Sequence, residues 1–252
     1  FTNSLLVGTD STGTLSSATR NTGVGIGVFS ALTSGNNNSV IGNLSMDKNT
    51  TGSNNVAMGV VALSCNTTGG DNTALGKSAL QINTTASSNT SVGNNTLALN
   101  TTGASNTAVG ASALAANTTA ANNVAVGVSA LQANTTASDN TAVGFSSLLS
   151  NTTGSSNTAV GKCALKLTTT GIINTAMGTL TMCANTTGAC NVAIGSNALR
   201  TNQTSSFNTA VGYNALRLNT AASNTAVGHS SLACNTSGAT NVALGFCALK
   251  AN

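Results

Sequence analysis

One glycine returns every 17 residues through the chain, from Gly8 and Gly25 to Gly228 and Gly245, and only the step from Gly212 to Gly228 is shorter, at 16. One phrase surrounds it, nearly unbroken in Asn106-Thr107-Ala108-Val109-Gly110, then Ala113-Leu114, then Asn117-Thr118-Thr119. A fixed period of this size marks a solenoid, because one such repeat buries its apolar face only by stacking on the next. The pattern predicts an all-β chain, a parallel β-solenoid (β-roll) of about fifteen 17-residue coils. No change of composition interrupts it, so residues 1–252 read as a single continuous repeat domain without separate caps.

With the repeat glycine as position 0, each offset becomes a column across the coils. Position −1 is apolar throughout (Val7, Val24, Ile41, Met58 and onward to Leu244), and +4 is Leu in eleven coils. Position +6 is often apolar as well (Ile82, Leu99, Leu167, Leu218). Alternation of −3 with −1, and of +4 with +6, has the strand period of two, which predicts two or three short strands per coil with −1, +4 and +6 as the core. Position −2 is mostly Ala and +3 is small or Val, suited to corners or close approach. The twelve charged residues supply an independent test of exposure. Five lie at +5 (Asp47, Lys166, Arg200, Arg217, Lys250), two at +1 (Lys77, Lys162) and three at +12 (Arg20, Asp71, Asp139). These columns read as solvent-facing, and the charge-free ones as buried or tightly stacked.

Asn occupies −4 in fourteen coils and +7 in twelve. Identical Asn side chains on successive coils can bond amide to amide as ladders. The +7 column also spells Asn-X-Thr/Ser at Asn49, Asn66, Asn83, Asn100, Asn117, Asn134, Asn151, Asn185, Asn202 and Asn235, a second reading in which it carries a stripe of sugars.

The inventory for catalysis is thin. There is one His, His229, on the exposed +1 column, and Asp139, the nearest Asp in sequence, lies about 24 Å away at ~4.8 Å per coil. No cofactor fingerprint, phosphate loop or metal-ligand spacing appears, so the chain reads as non-enzymatic, without cofactor or metal. Its net charge of +4, spread without a basic cluster, argues against nucleic acid. No apolar run reaches the roughly 18–20 residues that span a bilayer, which argues against membrane insertion by a helix. Of six cysteines, only Cys183 and Cys190, in one coil, are a plausible disulfide pair, and the rest read as small apolar fillers.

The phrase resembles repeats in tail-fibre-like and spike-like proteins of viruses and marine microbes. It is also similar to the head repeats of trimeric autotransporter adhesins, with Asn191-Val192-Ala193-Ile194-Gly195 and Asn123-Val124-Ala125-Val126-Gly127 the nearest matches. The resemblance implies a left-handed coil, lateral trimers and a place outside the cell or on a virion. The first functional expectation is therefore a structural rod, a subunit or shaft segment of a fibre that partners with itself by lateral trimers or end-to-end stacking. Fifteen coils would span roughly 70 Å. An alternative is an adhesive surface for a cell-surface receptor or glycan, with Phe145, Tyr213, His229 and Phe246 on column +1 as contacts. The third is ice binding, from Thr at +8 and +9, although adjacent side chains of a strand point to opposite faces. At the ends, Phe1 and Asn252 sit near the register for joining copies, while Thr12 and Leu15 make the first coil the least regular. An excerpt of a longer array and head-to-tail stacking both stay open.

Overall fold

A computed structural model of the chain describes residues 4–8 and 16–251. Phe1, Asp10, Thr12, Leu15 and Asn252 lie outside the described residues. The protein is an all-β solenoid that divides into two compact units, Phe1–Asn123 and Val124–Asn252. The first holds β1 (Leu5–Val7), β2 (Thr22–Val24), β3 (Ser39–Ile41), β4 (Val56–Met58), β5 (Thr73–Leu75), β6 (Thr90–Val92) and β7 (Thr107–Val109). The second holds β8 (Val124–Val126), β9 (Thr141–Val143), β10 (Thr158–Val160), β11 (Thr175–Met177), β12 (Val192–Ile194), β13 (Thr209–Val211), β14 (Thr225–Val227) and β15 (Val242–Leu244). Within each unit, strands pair in parallel with their sequence neighbours, column on column, as in Thr73↔Thr90 and Ala159↔Ala176.

Among the described residues each coil contributes one three-residue strand, at −3 to −1, rather than two or three. The stretch from +1 to +6 is a chain of turns in which +2 and +4 both adopt left-handed φ, as at Ser78 (58°) and Leu80 (50°). It bonds coil to coil as regularly as the strands do. Leu63 N–H donates to Ala79 C=O at 3.0 Å, and Cys65 N–H to Gln81 C=O at 3.0 Å. Period-two reading of +4 and +6 mistook this alternation of backbone conformation for a strand.

The core differs from the expected one for the same reason. A three-residue strand turns only its middle residue inward, so −2 is buried and the apolar −1 faces out: Ala57 is fully buried while Met58 is 42 % exposed. Column +6 also faces out, with Leu99 46 % exposed. The interior is built from +4 (Leu63, Leu80, Leu97 in the first unit; Leu131, Leu148, Leu165 in the second), packed against the small residues at −2 and +3. Alanine at −2 is what a coil this narrow admits opposite a leucine. Where the second coil has the larger Val28 and Phe29, −2 shrinks to Gly23, whose absent Cβ would lie 2.8 Å from Val28 Cγ1 and 3.1 Å from Phe29 Cδ2.

The rest of the interior is amide. The Asn residues at −4 are buried and form a ladder: Asn72 Nδ2 donates to Asn55 Oδ1 at 3.1 Å and to Ala86 C=O at 2.9 Å, while Asn72 Oδ1 accepts from Asn89 N–H at 3.0 Å. Burying so many amides is tolerable because the ladder supplies partners in adjacent coils, with Asn151 Oδ1 and Asn202 Oδ1 of the +7 column as exceptions. The 16-residue coil keeps strand register, Thr209 opposite Thr225, because the missing residue comes out of the turn. There Asn219 Nδ2 donates to Ala221 C=O, two residues on, where other coils reach three residues on.

Candidate functional site

Of the four +1 residues expected to make surface contact, the structure brings three together. Tyr213, His229 and Phe246 come from consecutive coils of the second unit, and their rings stack. Centroids are 5.1 Å apart in both pairs, with interplanar angles of 30° for Tyr213–His229 and 23° for His229–Phe246. The backbone sets this spacing. Ser230 N–H donates to Tyr213 C=O and Cys247 N–H to His229 C=O, both at 2.8 Å, so successive +1 residues are held one coil apart. Placing Tyr213 and His229 on adjacent coils requires the short turn just described, since they are 16 residues apart. Phe145 is exposed four coils earlier and belongs to no ring stack among the described residues. Each stacked pair adds roughly 0.5–1.5 kcal/mol beyond the area it covers. His229 lies between the other two rings, while Tyr213 and Phe246 remain 49 % and 77 % exposed.

Among the described residues no pocket forms, and no three His, Cys, Asp or Glu side chains gather as a metal site. Cys183 and Cys190 are separate free thiols, not a disulfide. Cys183 closes the +1 to +5 turns and Cys190 sits at the left-handed +12 position (φ 56°), with the tight Asn185–Gly188 turn between them. Burial pushes the Cys183 thiol up, and Cys163 adds to this against the opposing pull of Lys166 and Arg200.

The +7 column is structural. All ten sequon asparagines are buried, and every one donates its Nδ2 to the carbonyl three residues on, from Asn49 to Gly52 at 2.9 Å through Asn235 to Gly238 at 2.7 Å. That nitrogen is where a glycan would attach, so the folded column has no place for sugars. The Thr hydroxyls at +8 are likewise engaged: Thr50 Oγ1 donates to Thr67 C=O at 3.0 Å and Thr67 Oγ1 to Thr84 C=O at 3.0 Å. Only +9 presents its hydroxyl outward, which halves the array on which the ice-binding expectation rested.

One carboxylate is poorly placed. Asp47 Oδ1 is buried with no hydrogen-bond partner, and burial raises its pKa above the ordinary carboxylate value despite the opposing Lys48. A carboxyl whose folded pKa is raised weakens the fold at neutral pH, and that penalty fades as pH falls through the raised folded value and is gone below the ordinary 3.8. Asp47→Ser, which installs the residue found at Ser64 one coil on, is expected to raise the thermal midpoint at pH 7 and to give no gain near pH 3. Melting curves of both proteins at the two pH values test this.

No family model matches the chain, nor does any curated protein or solved structure.

Proposed function

We propose that the chain is a non-enzymatic structural rod, a subunit or shaft segment of an extracellular or virion fibre of the kind its repeat phrase resembles. One observation carries the reading: the most repeated polar groups, Asn at −4 and +7, are buried and bonded within the stack, so they join coil to coil instead of meeting a substrate. Such a surface associates with copies of itself. The −1 column supplies the means, a row of apolar side chains free of charge on the outward face of the sheet, with Ile41 47 % and Met177 43 % exposed.

Sedimentation equilibrium tests the assembly. The wild-type chain is expected to run as a multiple of its 24.4 kDa mass. Val143→Lys, Val160→Lys and Met177→Lys together place charge on this outward column and are expected to return it to a single chain. A wild type that stays monomeric at every concentration contradicts the reading.

The stack of Tyr213, His229 and Phe246 favours a second reading, an adhesive patch for a receptor or glycan on the same rod. Unchanged attachment after replacing these three and Phe145 with Ser counts against it.

A further inference from the structure

Charge divides unequally between the units. In residues 1–123 three cations (Arg20, Lys48, Lys77) balance three aspartates, whereas in 124–252 five cations face Asp139 alone, so the whole net charge of +4 lies in the second unit. Four of those five share one column. Lys166, Arg200, Arg217 and Lys250 all stand at +5, on a run of six coils whose other two +5 residues are the neutral Cys183 and Ala233.

The backbone keeps this column in register. Each +5 carbonyl in the run accepts from the +6 N–H of the coil before: Lys166 from Ser150 at 3.0 Å, Cys183 from Leu167 at 3.2 Å and Arg200 from Ala184 at 3.1 Å. Arg217 accepts from Thr201 at 3.2 Å, Ala233 from Leu218 at 3.1 Å and Lys250 from Cys234 at 3.0 Å. The four side chains are exposed or partly exposed, and no carboxylate side chain lies in these six coils among the described residues. At ~4.8 Å per coil the cations follow one another at roughly 10, 5 and 10 Å. A sequence scan that counts charges along the chain finds no cluster, because neighbours in this row are 17 to 34 residues apart in sequence.

From this single-file row we infer that the +5 column of the second unit is a binding stripe for a linear acidic polysaccharide. A straight row of spaced cations matches a chain bearing carboxylate or sulfate groups at intervals. Exposed hydroxyls at Thr170, Thr187 and Thr204, four residues further along their coils, suit sugar hydroxyls. Nucleic acid fits less well, since it is held by dense basic grooves, whereas these four cations stand in a single spaced file. The stripe is independent of the rod reading, because a monomer would carry it as well.

The test compares two variants that lose the same number of charges. One is Lys166→Gln, Arg200→Gln, Arg217→Gln, Lys250→Gln; the other is Arg20→Gln, Lys48→Gln, Lys77→Gln, Lys162→Gln, four exposed cations outside the stripe. Affinity is measured for heparin and for polygalacturonate, at low salt and at about 0.15 M, where exposed charges are screened beyond ~8 Å. The wild type is expected to bind both polymers and to weaken with salt. The stripe variant should lose roughly tenfold or more, because exposed ion pairs are individually weak and act only in sum. The control should stay near wild type, and the double variant Arg200→Gln, Arg217→Gln should fall between, with circular dichroism confirming the fold of each. Equal losses in the two fourfold variants would overturn the stripe in favour of net charge. Absence of wild-type binding, or tighter binding to a thymidine oligonucleotide or to phosphatidylserine vesicles than to either polymer, would overturn it too.

Discussion

Gly59→Ala is expected to destabilise the first unit by about 3–5 kcal/mol, the sum of a left-handed backbone penalty and a clash that cannot relax. Gly59 has φ 144°, and an added Cβ would stand 2.4 Å from Gly76 C=O and 3.0 Å from Lys77 N. Both obstacles are backbone of the next coil. That coil cannot retreat without breaking its own bonds, among them Gly76 N–H to Met58 C=O at 2.8 Å. Gly69→Ala is the informative control. Its Cβ would also approach the next coil closely, 2.3 Å from Ala86 C=O, but Gly69 lacks a positive φ, and Ala86, Ala120 and Ala137 fill the same column natively. Its cost should be the smaller of the two, since crowding acts there without the backbone penalty. Urea unfolding followed by circular dichroism separates the two, and equal losses would place the cost in crowding instead of backbone conformation.

Asn72→Leu is expected to cost about 1–3 kcal/mol although it adds apolar surface to a buried site, since it leaves a buried backbone N–H without a partner. It strands Asn89 N–H, which donates to Asn72 Oδ1, and takes one of two donors from Ala86 C=O, which keeps Asn83 Nδ2. Asn72→Asp keeps the acceptor but removes both donors and sets a carboxylate against Asn55 Oδ1. Burial and that contact raise its folded pKa, so its penalty is present at neutral pH, declines as pH falls through that raised value and is gone below the ordinary carboxylate pKa of about 3.9. Unfolding curves at neutral pH and below that ordinary value check the sign. A leucine variant as stable as wild type would mean that the ladder contributes little.

These expectations show where the sequence was legible. Column periodicity placed the coils, the ladders at Asn72 and Asn66, and the solvent-facing +1 and +12 positions, whereas column +5, read as solvent-facing, is only partly exposed, with Ser64 and Ala233 buried and Asp47 Oδ1 out of reach of a partner. It misplaced the core, since apolar identity at −1 does not say which way a three-residue strand turns. Ala57 and Ala74, too small to register as hydrophobic anchors, hold the inward position. The left-handed φ at +2 and +4 also left no residue signature, with Val61 and Leu63 occupying it as Ser78 and Leu80 do. Tyr213, His229 and Phe246 were found singly. Their stacking, like the row from Lys166 to Lys250, depends on lateral neighbours that only the coil register supplies.

Electron microscopy of the purified chain, with its mass in solution, tests the structural role most directly. Elongated particles one or a few chains thick, with an axial repeat of ~4.8 Å along their length, are the predicted result. Compact particles without that repeat would contradict it.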